Sequence, residues 1–211
     1  MSIPILGYVY FVSSLVPLSV GLVRYRSIAR PMKILTLLCV LSFVNAATQF
    51  ILGRLKISNQ FIGNAFVPVE VLLIILIYFF STGLSKYRRI VVGSGILFML
   101  VWIIDKLFFE IPNQINPEMA VVSRLFLVAM SLLMISVASG VEIPRLRDKS
   151  VFWVAAGVIL YSTGTFLAVG LGNRLLEMNV SFFIIVWHIN WSLLIVANLL
   201  YTKGLLCKSQ T

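Results

Sequence analysis

The chain has 211 residues, of which 60% are hydrophobic and 11% are charged, and its formal net charge is +10. Soluble domains contain about a quarter charged residues, and the mean hydropathy here is +1.04. This composition excludes a water-soluble fold of any size, so we expect the protein to act within a membrane or at its surfaces.

Seven apolar stretches follow one another along the chain, separated by short polar loops. A helix needs about 20 mostly apolar residues to cross the hydrocarbon core of a bilayer. Helices are the expected element, because an open sheet leaves backbone groups unpaired in lipid and a barrel would show alternating polarity. The sequence therefore predicts an all-α, polytopic membrane protein with one seven-helix transmembrane domain over residues 1–211. The predicted spans cover residues 5–23, 34–53, 61–82, 90–107, 119–140, 151–171 and 180–202.

The Lys and Arg residues are concentrated in alternate loops. Twelve of the seventeen follow spans 1, 3, 5 and 7. Basic residues of short loops stay on the cytoplasmic side, so the N-terminus is expected outside and the C-terminus inside, in a cell membrane that we take to be a bacterial inner membrane. We expect the basic loops to contact anionic lipid headgroups at the cytoplasmic face. Their dispersal argues against binding of nucleic acid.

Glu70 is an ionisable residue deep in span 3. About ten residues of the span precede it, which places it about 15 Å from the outer end of the helix. Its neighbours one turn away, at positions 66, 67, 73 and 74, are all apolar, so any partner must come from another helix. An ionisable group at this depth is costly unless paired, and by default it marks a functional site.

Polar residues of two other spans lie at a similar depth. His188, the only histidine, and Asn190 occupy span 7, while Asn45 and Gln49 share one face of span 2. One hypothesis is that these four residues and Glu70 line a ligand- or proton-binding pocket in the outer half of the bundle. The other is that they form an internal hydrogen-bonded network that fixes helix packing. Glu70 and His188 could share a proton and respond to pH or to a ligand.

Three further residues are possible accessories to this site. Trp191 lies beside His188, and Arg124 and Asp105 lie nearer the outer surface, in spans 5 and 4. Arg124 and Asp105 could pair across helices, or each could extend to the lipid headgroups.

Several kinds of chemistry are not supported by the sequence. Span 7 contains no lysine before Lys203 that could form a retinal Schiff base, and one histidine with two distant cysteines offers no metal site. Neither a GxSxG motif nor a phosphate-binding glycine loop is present. We therefore expect no cofactor and no catalytic residue, and enzymatic activity is not favoured.

The layout and the segment Phe66-Val67-Pro68-Val69-Glu70 carry a resemblance. The chain resembles small uncharacterised seven-helix membrane proteins of bacteria and, more distantly, the seven-helix sensor modules that precede histidine kinase domains. Only nine residues follow Thr202, so a sensor of this kind is expected to signal through a partner.

Two classes of function remain open. The first is a receptor-like or sensor protein whose outer pocket binds a small molecule, a lipid or a proton, and whose basic inner loops contact a cytoplasmic or membrane partner. The second is a small proton-coupled transporter that uses Glu70 and His188. A carrier needs access from both sides, and the inner halves of the spans contain fewer polar residues, which favours the receptor.

Overall fold

The structure, a computed structural model, describes residues 5–55, 57, 60–81, 87–108, 117–139, 147–170 and 180–207. These residues form seven α-helices, each long and apolar enough to cross a membrane, which confirms the predicted all-α architecture. The helices are α1 (Ile5–Val23), α2 (Arg30–Arg54), α3 (Gln60–Phe80), α4 (Arg88–Phe108), α5 (Pro117–Ser139), α6 (Ser150–Gly170) and α7 (Val180–Leu206).

The helices differ most from the predicted spans where basic residues stand at their ends. Helix α2 begins at Arg30 rather than at residue 34, with Pro31 in its first turn, where the missing N–H of proline costs nothing. The Arg30 guanidinium lies 3.9 Å from the centre of the Phe80 ring. Helix α7 continues four residues past the predicted end. The predicted span ends at residues 82, 140 and 171 lie outside the described residues.

Successive helices run antiparallel, and six of them close a ring. The Arg54 side chain donates to the Tyr8 hydroxyl at 2.6 Å, joining the end of α2 to the start of α1. Contacts then link α2 to α3, α3 to α5, α5 to α6, α6 to α7 and α7 back to α1, while α4 packs outside the ring against α3 and α5. We call the end where α1, α3, α5 and α7 finish the basic end, after its Lys and Arg residues, and the other end the opposite end.

The apolar core fills the half of the ring near the basic end. Leu35, Ile77, Val154 and Leu205 are fully buried there. Helices α6 and α7 approach each other closely along a row of glycines, as small residues allow in membrane bundles: a Cβ atom on Gly157 would lie 2.6 Å from the Tyr201 ring. Buried hydroxyl groups such as those of Thr36 and Ser131 also lie in this half, whereas the buried charged residues Glu70 and Arg124 lie nearer the middle of the bundle.

Candidate functional site

A cavity of about 520 Å³ lies inside the ring. All six helices of the ring contribute to its wall, and none of the described lining residues belongs to α4. The helix that lies outside the ring thus takes no part in the site.

The cavity extends from near the opposite end to the middle of the bundle along α3, α5 and α6, and farther toward the basic end along α1, α2 and α7. Ala120 and Phe183, each three residues from the start of its helix, line it near the opposite end. On α3, α5 and α6 the lining residues closest to the basic end are Glu70, Arg124 and Tyr161. These three residues form the floor of the cavity on this side of the ring, while on α7 the lining continues to Tyr201, five residues before the helix ends.

Glu70 and Arg124 form an ion pair at this floor. The distance from Arg124 Nη1 to Glu70 Oε2 is 2.7 Å, and the two residues are only 6% and 5% exposed. Because charges are expensive to bury, each requires the other as a partner. Helix α3 remains helical through Pro68, and the prediction that the partner of Glu70 comes from another helix is confirmed.

Aromatic side chains surround the ion pair. The Arg124 guanidinium lies 4.6 Å from the centre of the Tyr161 ring, a cation–π contact. The Tyr161 hydroxyl also interacts with the Glu70 carboxylate. Tyr10 and Tyr201 line the same cavity within electrostatic range of Glu70. The pair is therefore enclosed by groups that can replace part of its lost hydration.

Amide side chains form two hydrogen-bonded pairs in the wall. Gln49 Nε2 donates to Asn45 Oδ1 at 3.1 Å on α2, and the Thr165 hydroxyl donates to Asn190 Oδ1 at 3.3 Å between α6 and α7. All four residues line the cavity. The structure thus brings Glu70, Asn45, Gln49 and Asn190 to the wall of one cavity.

An aromatic row on α7 covers another side of the cavity. Phe183, Trp187 and Trp191 line it at intervals of four residues, with ring centroids 6.0 and 5.8 Å apart along the row. Trp187 Nε1 is buried without a hydrogen-bond partner, and so is Arg124 Nε. Two donors on lining residues therefore remain unused.

The structure does not place His188 among the lining residues. The residue is half-buried, its Nδ1 lies 2.7 Å from the Ile184 carbonyl oxygen, and its ring contacts Trp191 edge-on. His188 precedes Asn190 by two residues, a rotation of about 200° around a helix. Because Asn190 lines the cavity, His188 lies on a different face of α7. Arg124, and not His188, forms the ion pair with Glu70.

Asp105 is also not among the residues that line the cavity. Together with Lys106 and Trp102 of α4, it lines a small adjoining crevice that shares Ala120 with the cavity wall. Arg124 neither pairs with Asp105 nor extends to the membrane surface, because Glu70 holds it at the floor of the cavity. Of the three possible accessories, Arg124 and Trp191 line the cavity and Asp105 does not.

Several lining residues were not anticipated from the sequence. Asn198 and Tyr201 of α7 line the cavity, and Asn198 Nδ2 donates to the Ser13 hydroxyl of α1 at 2.9 Å. They follow Asn190 by 8 and 11 residues, which is the spacing of one helix face. Extending the helical period from Asn190 would have identified both.

Comparisons with known proteins found no match for this chain. The chain matches no family model, no curated protein and no solved structure. Within the described ranges, no group of three His, Cys, Asp or Glu side chains could hold a metal ion. What the structure defines is a bundle of seven membrane-compatible helices with a buried ion pair at the floor of a polar and aromatic cavity.

Proposed function

We propose that the protein is a receptor-like or sensor membrane protein that binds a small molecule in the cavity and signals through a partner. The observation that carries this proposal is the asymmetric cavity: its lining begins near the opposite end, while on α3, α5 and α6 the apolar core lies between the ion pair and the basic end. Ligand pockets combine such apolar and aromatic walls with a few fixed polar groups. The ion pair supplies those groups where α3 meets α5.

The proposal includes the orientation of the bundle. Short basic loops remain in the cytoplasm, so the basic end faces inward and the cavity is reached from outside. Arg24, Arg30 and Arg88 are among the described residues at the basic end. A signalling partner would meet this inner surface, together with anionic lipid headgroups.

A proton-coupled transporter is the second candidate, and less in the structure supports it. The proposed coupling pair of Glu70 and His188 is not adjacent, since Arg124 contacts Glu70 and His188 lies off the cavity. A carrier also needs a path to each side, whereas the core beyond the ion pair contains Ile77 and Val154, both fully buried.

Thiol access from the two sides of the membrane tests this proposal. In a Cys39→Ala background, we expect Asn45→Cys to be modified by the small, membrane-impermeant reagent MTSET added to intact spheroplasts, because Asn45 lines the cavity. The native Cys207 just beyond α7 should be modified only in inverted vesicles. Burial raises the pKa of the Cys207 thiol, so the reaction is carried out under mildly alkaline conditions. Modification is measured as lost PEG-maleimide labelling after denaturation.

Val44→Cys is the matched control for this measurement. Val44 is the neighbouring residue on α2, is 53% exposed at the surface of the bundle and does not line the cavity, so its thiol would lie in lipid and resist MTSET from both sides. Modification of Asn45→Cys from both sides would support the carrier instead. Its modification from the Cys207 side alone would contradict the proposed cavity.

A further inference from the structure

The cavity wall is electrically balanced. Among the described lining residues, Glu70 is the only acidic and Arg124 the only basic side chain, and the two neutralise each other at 2.7 Å. A ligand carboxylate or ammonium group would introduce a third charge with no countercharge of its own. An unpaired charge is costly to bury, so the wall favours an uncharged ligand.

The unused hydrogen-bonding groups of the floor and the aromatic row are donors. Arg124 Nε and Trp187 Nε1 are buried on lining residues of two different helices, α5 and α7, without an acceptor. Buried donors are normally satisfied, and leaving one unsatisfied is unfavourable. Neither nitrogen is itself exposed to the cavity, so an acceptor oxygen of a ligand would reach one of them only after its side chain turns.

The remaining wall suits an apolar body. Phe183, Trp187 and Trp191 form a continuous row of rings, and Phe66 and Leu194 add further apolar surface. A volume of about 520 Å³ lies within the range of small-molecule pockets. Flat or ring-containing molecules would gain stacking contacts along this row.

We propose that the cavity binds an uncharged, largely apolar molecule that carries a hydrogen-bond acceptor of the carbonyl type, such as a ketone, ester or amide. This inference rests on the proposed function and specifies its ligand class. The acceptor pairs with Arg124 Nε or Trp187 Nε1, and the apolar body packs against the aromatic row of α7.

Three naphthalenes that differ in one substituent test the inference. The full chain is placed in nanodiscs of zwitterionic lipid and dialysed to equilibrium against 2-acetylnaphthalene, 2-ethylnaphthalene or 2-naphthoate, with protein-free nanodiscs as the correction for lipid partitioning. We expect the ketone to bind about tenfold more tightly than the hydrocarbon, the effect of one or two net hydrogen bonds. The carboxylate should bind more weakly than the ketone.

A tryptophan variant and its control test whether the Trp187 N–H donates to the ligand. Trp187→Phe keeps an aromatic ring but removes the N–H, so the preference for the ketone over the hydrocarbon should fall severalfold. Trp153→Phe is the control, because Trp153 donates to the Arg147 carbonyl and does not line the cavity. It should leave the preference unchanged.

The possible outcomes separate the ligand class from the proposed function. Equal binding of the ketone and the hydrocarbon would overturn the role of the acceptor but leave the cavity as a binding site. Tightest binding of 2-naphthoate would overturn the requirement for an uncharged ligand. Binding of none of the three above protein-free nanodiscs would contradict both this inference and the proposed function.

Discussion

Replacement of Arg124 by methionine is expected to lower the free energy of unfolding by about 3–5 kcal/mol, because it leaves the Glu70 carboxylate buried without its partner. Glu70→Gln should also destabilise the protein, since it leaves the Arg124 cation facing a neutral amide. The double variant removes both charges, so it should be more stable than Arg124→Met alone. Unfolding of the purified protein in mixed detergent micelles gives the four free energies of this double-mutant cycle.

An exposed arginine provides the control for this cycle. Arg54 donates to the Tyr8 hydroxyl and lies over the Phe50 ring, but it is exposed at the end of α2. Arg54→Met should therefore have a much smaller effect, as exposed charged contacts contribute little. If the effects of Glu70→Gln and Arg124→Met were additive, the two side chains would not be coupled, and the ion pair would not organise the cavity floor.

Gly157→Ala is expected to destabilise the protein by about 1–3 kcal/mol, the usual cost of overpacking. An added Cβ atom would lie 2.6 Å from Cε1 of Tyr201 and 3.3 Å from the carbonyl oxygen of Ala197. Helices α6 and α7 would have to separate, or the Tyr201 ring would have to move into the cavity. This loss should outweigh the higher helix propensity of alanine, and the thermal unfolding midpoint in detergent measures the sum.

Gly93→Ala makes the matched comparison, and the expected effect has the opposite sign. Apart from the backbone of its own helix and its chain neighbours, no atom lies within 4 Å of a Cβ built on Gly93, five residues after the start of α4. Without crowding, alanine should stabilise the helix by up to about 1 kcal/mol. Equal changes in the unfolding midpoint for the two variants would show that the close approach of α6 and α7 does not depend on Gly157.

Much of the fold could be predicted from the sequence, because apolar length alone marks a membrane helix. The first and last residues of each helix were harder to predict. A hydropathy pattern ends at the first charged residues, whereas α2 includes Arg30 and Lys33 and α7 includes Lys203. Long basic side chains let a helix continue past the apolar stretch, as Arg30 does by covering Phe80.

The candidate site was only partly predictable, because a residue's depth can be counted but its direction depends on the neighbouring helices. Asn45, Glu70 and Asn190 were placed in one layer by counting, and all three line the cavity. His188 was placed in the same layer, yet it lies on another face of α7. The row formed by Asn190, Asn198 and Tyr201 contained the information needed to choose the face.

The ion pair was missed for a different reason. Arg124 is about 10 Å from the start of α5 and Glu70 about 15 Å from the start of α3, so counting alone separates them. A long arginine side chain bridges this difference. Pairing also requires that α3 and α5 be neighbours in the ring, with α4 displaced outside it, and loop lengths alone do not indicate that arrangement.

Filling the cavity tests the central claim most directly. Ala46 lines the cavity from α2, and Val44, two residues away, faces outward. We predict that Ala46→Trp lowers the retention of 2-acetylnaphthalene to that of protein-free nanodiscs, because the indole occupies the space of the ligand, while Val44→Trp binds as the unmodified protein does. Retention by Ala46→Trp at the level of the unmodified protein would contradict the assignment of this cavity as the ligand site.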